Sequence, residues 1–570
     1  MDEQFGEDMD MDNELEEKLY GEKNTKKLLM IIIFIFITII CLILSTFLFF
    51  NFFTFNKEDS KPPLQQDFTV LMSDNKIHKP YTYKLSSEVI KLKNGIKAIL
   101  VSEPNSTSSG ISILSYYGSA LDVIQGLAHF SEHMAFRGSK KHRDNKLWTG
   151  FNYPGVINDA FTVMENTCFY ISTEVYSIFE QFLDMISDAL HNPLLNSSVI
   201  KNEINVVNSE YLLGNRTDEY ILNVILGELI NENHPIYRHL SFGNNKTLNH
   251  EDMVKYLRAY FQEAFHPNNL NIALYSNKSI SELEKLVVKY FNYEIKVNET
   301  VGNKERLEKK KKLKEERLFK KENGGKIIKY FSKVANNFDE SDKYYNLLSI
   351  SFGINNMTYK DGFNSIDFLN YLLKNSKDSY LSKYLIDKNY IYMMMPKIFN
   401  QFFDTDFGFY NIYIYLNDQG VNNLEEVIKA VFHYLNLIKN SMDEIEKNIF
   451  PNYQKLKENM FNYYYDENKI INNENRRYIL NMKKHGMENI FRNDVPDKFD
   501  KNFFLSFLND NINIENAIIS LNSNYDISKI KLFEGHSIKY LNHYGNQYNI
   551  TNLKKEFIEL LNKFPVDKII

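Results

Sequence analysis

The chain has 570 residues, of which 44% are hydrophobic and 25% charged, with a formal net charge of −6 at pH 7. A chain of that size and composition can bury a large core and has room for two or three domains. Its pI near 6.2 leaves no basic excess, so no nucleic-acid partner is expected.

The first 22 residues hold ten Asp or Glu, and residues 1–27 read as a short disordered acidic tail. Residues 28–50, LLMIIIFIFITIICLILSTFLFF, form a nearly unbroken apolar run of a length that spans a bilayer. It lies behind 27 residues and is followed by Asn rather than the small residues of a cleavage site, so an uncleaved transmembrane signal anchor is expected. Lys18, Lys23, Lys26 and Lys27 precede the run, whereas Lys57 and Lys61 follow it. That balance puts the N-terminus in the cytosol and makes the chain a single-pass, type II membrane protein with its bulk lumenal or extracellular. Of the two cysteines, Cys41 lies in the apolar run and Cys168 far beyond it, so an exported part would be held by its core alone.

Residues 51–80 are polar and carry prolines, and they read as a tether, with ordered structure expected from Tyr81. The segment EVIKLKNGIKAILV shows two strand-like runs around Asn94-Gly95, a strong hairpin signal. GISILSYYG reads as the next strand. Leu127, Phe130, Met134 and Phe136 then fit a helix that Gly138 stops. After a loop from Trp148 to Pro154, TCFYIST reads as a strand, and Glu174 to Leu190 as an amphipathic helix. Ser197 or Ser198 can cap a further helix with Ile200, Ile204, Val207 and Tyr211 as its apolar stripe. Residues 301–325, including NKERLEKKKKLKEERLFKKENGG, have too few apolar side chains for a core and read as a charged linker. It separates a first domain, 81–300, from a second, 326–570, which again mixes strands (GFYNIYIYL) with helices (NLEEVIKAVFHYLNLIKN). The expected fold class is α+β, with two domains that each pack a sheet against helices, preceded by one transmembrane helix.

Chemistry concentrates in GLAHFSEHMAFRG. His129 and His133 are four residues apart and Glu132 is three after the first, so all three share one helical face and the two imidazoles can meet a single ion. This is the inverted zincin order His-x-x-Glu-His. A hydrolytic zinc needs a third protein ligand and an open position. In SSVIKNEINVVNSEYLL, Glu203 and Glu210 are seven apart and project from the same side of a helix, so one could bind metal while the other orients the site.

GLAHFSEHMAFRGSKKH, followed by Glu210 in NEINVVNSEY, resembles the insulinase/pitrilysin family of zinc peptidases. The likeness includes LKNGIKAILVSEPNS, INDAFT, NENHPIYRHLSFGNNKTL and FHPNNLNIALYSN, and continues more faintly to the C-terminus. It implies two homologous domains of mostly antiparallel sheet, the first binding zinc and the second metal-free. It also implies His129, His133 and Glu210 as zinc ligands, Glu132 as the general base that activates a water, and Glu203, grouped with Glu132 among the catalytic residues, as a supporting carboxylate that hydrogen-bonds near the ligand shell and tunes it. The family's substrate-binding Asn stands directly before AFT; here Asp159 is in that register and Asn158 is one residue off, which makes both candidate substrate contacts. The implied function is a membrane-anchored zinc metallopeptidase acting on peptides or small proteins. Long members have four such domains and this chain resembles the first two, so a second two-domain chain, in a hetero- or homodimer, is the expected partner. A non-catalytic, membrane-bound subunit of a peptidase complex is the alternative.

Overall fold

The computed structural model describes residues 67–143, 155–214, 218–331, 346–355, 359–360, 363–374, 380–399, 408–463, 475–491, 495–523, 539–540 and 547–562. The expected acidic tail, membrane span and first part of the tether lie outside the described residues, as does the loop from Trp148 to Pro154. Among the described residues, no helix is long and apolar enough to cross a membrane. Phe68–Ile570 forms one compact unit.

The first lobe is built on β1 (Phe68–Met72), β2 (Ser86–Leu92), β3 (Lys97–Ser102), β4 (Ser109–Ser115), β5 (Val156–Thr162), β6 (Thr167–Thr173) and β7 (Leu270–Ser276). They form one sheet in the order β1-β2-β3-β7-β4-β6-β5, in which only β3 and β7 run parallel. The hairpin expected at Asn94-Gly95 is present. Gly95 takes φ +106°, a conformation that costs an L side chain about 1–2 kcal/mol, and Asn94 ties the turn to the carbonyls of Phe291 and Tyr293. Central β4 and β7 are buried along their whole length.

Ordered structure begins earlier than expected. β1 lies inside the presumed tether and pairs with β2, Phe68 opposite Leu92. Its five residues are too short to stand out by pattern, and the open edge of β2 is what makes them a strand.

The helices of this half are α1 (Leu127–Ala135), α2 (Tyr176–His191), α3 (Ser197–Gly214), α4 (Asp218–Gly227), α5 (Met253–Ala264), α6 (Ile280–Phe291) and α7 (Asn303–Glu315). Helices α1, α2, α3, α5 and α6 cover one face of the sheet. There Phe130, Met134, Phe179, Phe182, Ile186, Val207, Leu257 and Leu283 meet Ile113, Ile171, Ile272 and Leu274. The stripe expected on α2 is buried as its spacing requires.

The second half contributes β8 (Lys326–Phe331), β9 (Asn346–Ile354), the short pair β10 (Tyr359–Lys360) and β11 (Phe363–Asn364), then β12 (Ile391–Phe399), β13 (Gly408–Leu416), β14 (Ala517–Asn522), β15 (Lys539–Tyr540) and β16 (Gln547–Asn552). Its principal sheet has the order β12-β13-β9-β14-β8-β16-β15. Read from the other end, β8-β14-β9-β13-β12 repeats β3-β7-β4-β6-β5, including the single parallel pair, β14 with β8. The position of β2 is filled by β16, which comes last in the chain instead of first. This shared topology supports the expectation of two homologous α+β domains. Helices α8 (Ser365–Lys374), α9 (Tyr380–Asp387), α10 (Leu424–Asn440), α11 (Phe450–Tyr463), α12 (Asn475–His485), α13 (Lys501–Asn511) and α14 (Lys555–Asn562) complete this half, and all but α12 pack into its own core.

The two halves exchange helices. Tyr478, Ile479 and Met482 of α12 pack beneath the first sheet, against Val89, Ile99, Leu114 and Cys168. In return, Ile221, Leu222, Ile225 and Leu226 of α4 pack on the second sheet, against Tyr330, Phe409, Tyr413 and Ile518. A boundary drawn at the linker therefore divides the sequence but not the core.

The linker itself is a correction. Residues 303–315 form helix α7, which docks on the first lobe through charged contacts together with Leu313. Arg306 is buried, with Nε donating to Glu263 Oε2 at 2.8 Å and the guanidinium over the Tyr260 ring, while Lys309 donates to the Asp122 carbonyl. Glu263 also accepts from the Tyr117 hydroxyl at 2.9 Å. Removing one member of a buried pair strands the other. Arg306→Met is expected to destabilise the protein by about 3 kcal/mol, seen as an earlier urea-unfolding midpoint, with Glu263→Leu in the same chain recovering part of the loss.

Candidate metal centre

Helix α1 starts under tight backbone constraint. Asp122 is buried, and its carboxylate accepts the backbone N–H groups of Gly126 and Ala128, each at 2.9 Å. It thereby satisfies donors that a helix start leaves open and places an acid at the positive end of the dipole. Gly126 precedes the helix at φ +88°, and a Cβ there would lie 2.2 Å from the Cα of Gly243. Gly243 is itself at φ +73°. This backbone approach carries residue 242 onto the metal-facing side of α1. Leu127, Phe130 and Met134 are fully buried in the core, which turns His129, Glu132 and His133 toward α3 and β5.

The start of α3 differs from expectation in its cap. Asn196, not Ser197 or Ser198, takes that role, its Oδ1 accepting the Ser198 N–H at 2.9 Å. The stripe Ile200, Ile204, Val207 and Tyr211 is buried, and Glu203 and Glu210 follow on the side next to α1, two turns apart.

His129, His133 and Glu210 each bring one ligand atom within 4.8 Å of the others. Glu210 Oε2 is 3.2 Å from His133 Nε2 and 3.6 Å from His129 Nε2. The far nitrogens are both engaged. His129 Nδ1 is 3.0 Å from the Phe242 carbonyl and His133 Nδ1 is 2.8 Å from Glu203 Oε1. A carbonyl and a carboxylate only accept, so both Nδ1 atoms donate and both Nε2 atoms face the ligand position. Two imidazoles and one carboxylate, with solvent reaching a half-exposed Glu210, suit a zinc ion that keeps a fourth position open.

Glu203 is almost fully buried and touches His133 and Arg137, whose Nη2 donates to Glu203 Oε1 at 3.0 Å. These contacts put it beside the candidate ligand His133, the supporting place that the resemblance implies. Burial works against its charge, but the hydrogen bonds from His133 and Arg137 outweigh this and keep its carboxyl below the ordinary range. Burial likewise opposes a proton on His133, yet its hydrogen bonds to Glu203 and Glu210 push it up to about 9, so a metal ion would have to displace the Nε2 proton that Glu210 accepts. His129, buried and beside His133, falls to about 4 and is neutral with a free lone pair at Nε2.

Glu132 is buried, and that burial pushes its carboxyl up to about 7, against a hydrogen bond from Thr162. Thr162 Oγ1 donates to Glu132 Oε2 at 2.6 Å.

The two candidate substrate contacts separate by strand alternation. Asn158, Ala160 and Thr162 of β5 lie opposite Ile171, Phe169 and Thr167 of β6, on the helix-covered face. The amide oxygen of Asn158 is enclosed there and has no partner among the described residues. Asp159 lies on the opposite face, where it is exposed and accepts the Tyr170 hydroxyl at 2.7 Å. The position in register with the family Asn thus turns away from Glu132, and Asn158 shares the face of Thr162. Sequence reasoning missed Thr162, Arg137 and the Phe242 carbonyl. Arg137 stands four residues after His133, a spacing that could have pointed to it, but the other two carry no local signal.

Known proteins share this chain's sequence pattern and fold. Residues 97–230 match the family described as Insulinase (Peptidase family M16), and residues 253–449 match the Peptidase M16 inactive domain. The chain is 27% identical over 358 residues to Protease 3 of Escherichia coli (strain K12), covering 62% of this chain and 35% of that protein. It is 29% identical over 214 residues to the insulin-degrading enzyme homolog of Dictyostelium discoideum, covering 36% and 22% of the two chains. The crystal structure of pitrilysin superposes with a TM-score of 0.72 at 22% identity, over 88% of this chain and 50% of that one. The first half of the periplasmic protease PqqL from Escherichia coli gives 0.59 at 13% identity, over 86% and 99%. The chain thus spans about a third of the length of Protease 3 and half that of pitrilysin.

Two outcomes follow for metal binding. Glu203→Ala is expected to weaken zinc affinity by about 10- to 100-fold, the usual effect of losing a partner that orients a ligand, with Glu210→Ala weaker still, both measured by competition against a chromophoric chelator. Gly126→Ala forces a Cβ into the Gly243 backbone and is expected to cost at least about 2 kcal/mol, combining the φ penalty with the overlap. It should lower zinc affinity as well, because the Phe242 carbonyl moves off His129.

Proposed function

The chain belongs to the insulinase (M16) family of peptidases, and from that premise we propose that it is a zinc metallopeptidase that hydrolyses peptide bonds of peptides or small proteins. The observation that carries this reading is the meeting of His129, His133 and Glu210 around one point, with Glu132 buried beside them.

His129, His133 and Glu210 would hold the ion, and a zinc ion there supplies Lewis-acid polarisation of a water and of the scissile carbonyl. Glu132 is the group placed to take the proton of the attacking water and return it to the departing amine. Its surroundings suit that exchange, because a carboxyl raised by burial binds a proton more firmly than one in water while remaining able to release it near neutrality. Glu203 and the Phe242 carbonyl hold the imidazoles in the tautomer that presents Nε2.

The outermost strand β5 supplies a place for an extended peptide. Among the described residues it pairs with β6 on one side only, and the open main-chain groups of an edge strand accept another strand. A peptide added there would run past Thr162 and Glu132, with the Asn158 amide as the nearer of the two candidate contacts.

The apolar run 28–50 supports anchoring of this peptidase in a membrane by a single span, with the peptidase lumenal or extracellular. Because the chain spans half the length of pitrilysin, a second two-domain chain is proposed to enclose the site, as a heterodimer or a homodimer.

The test is cleavage of a mixed peptide library by the purified, zinc-loaded full chain, with and without any co-purifying protein. Glu132→Gln is expected to lower turnover by about 10²- to 10⁴-fold, the range of general base catalysis, while zinc content measured by atomic emission stays at that of the wild type. Equal cleavage by the wild type and Glu132→Gln would reject Glu132 as the base. No cleavage in either preparation would favour the reading of a non-catalytic subunit.

A further inference from the structure

We propose that Thr162 is the residue that aims Glu132. The inference rests on Glu132 being the general base and goes beyond it to what holds that base in place.

The hydrogen-bond inventory leaves little freedom. A hydroxyl carries one proton. Thr162 spends its proton on Glu132 Oε2 at 2.6 Å, within the range of a short bond to a charged acceptor. Thr167 Oγ1 is 3.3 Å from Thr162 Oγ1, and its own proton goes to the Tyr117 carbonyl at 3.0 Å. If Thr162 turned toward Thr167, it would exchange a charged acceptor for a neutral one and leave a buried carboxylate oxygen without a donor, which is costly. The chain therefore runs one way, with Thr162 donating to Glu132 and Thr167 donating to Tyr117.

The consequence lies in the carboxylate. With Oε2 held by Thr162, Oε1 is the oxygen left for the water. Glu132 stands on α1 and Thr162 on β5, 30 residues on, so the bond spans from the metal-binding helix to the free edge strand. It fixes the carboxylate against the same strand on which a substrate would lie. Misplacing a reacting group by about 1 Å can cost about 10²-fold in rate, so an aiming bond is worth far more to turnover than to folding.

The experiment compares Thr162→Val, which keeps the shape and removes the donor, with Thr162→Ser, which keeps the donor. Thr162→Val is expected to lower kcat by at least about tenfold, with KM, zinc content and thermal midpoint close to those of the wild type, and Thr162→Ser is expected to restore most of kcat. A crystal structure of the zinc-loaded Thr162→Val protein should show the Glu132 carboxyl displaced. The inference is overturned if Thr162→Val keeps kcat within twofold while Glu132→Gln is inactive, or if Ser is as impaired as Val. An unmoved Glu132 in the Val crystal structure also overturns it, and that readout holds even for a protein that cleaves no peptide. Failure of Glu132→Gln to reduce cleavage would instead reject the underlying assignment of the base.

Discussion

Taking ionisable side chains out of water is the constraint on which this centre depends. Glu132 and Glu203 are buried and His129 and His133 nearly so, and each stays there only because another group answers it. Glu203 faces His133 and Arg137, His129 faces a carbonyl, and Glu132 faces a threonine. An unanswered charge at such a depth would cost more than the packing around it returns. The partners come from four separate parts of the chain, so the folding of the first lobe and the assembly of the centre are one event. Hydrogen bonding also fixes which nitrogens face the candidate ligand position, because each Nδ1 is engaged and Nε2 is the one left.

The same rule governs how the halves are joined. Helix α7 has a composition that should float in solvent, yet Arg306 is drawn into the first lobe by Glu263 and the Tyr260 ring. Around that charged contact, α4 and α12 cross to each other's sheets and bury apolar surface. The second lobe carries none of His129, His133 and Glu210, but it packs beneath the first sheet, and Arg476 lies over the ring of Phe161 on the strand that bears Thr162. The second half thereby packs against the strand whose Thr162 meets Glu132.

What was legible in the sequence was local. The spacing of His129, Glu132 and His133 places them on one helical face, the seven-residue step from Glu203 to Glu210 does the same on α3, and Asn94-Gly95 specifies its turn. Helical period and turn chemistry act over a few residues, so a linear reading reaches them. The resemblance joined the two helices into one site. The correct face of β5 was not legible, since the register by motif pointed to Asp159 whereas strand pairing turned Asn158 toward the helices.

The sequence by itself singled out His129, His133, Glu210 and Glu132 as candidates and pointed to two similar halves, because those readings depend on spacings within single elements and on family likeness. Only the tertiary structure decided that β1 belongs to the sheet, that a lysine-rich linker is a docked helix, that helices are exchanged, and that Thr162 holds Glu132. Those contacts join residues far apart in the chain. They are selected by which sheet edges and faces the rest of the fold leaves open, and by which buried polar atoms still need a partner.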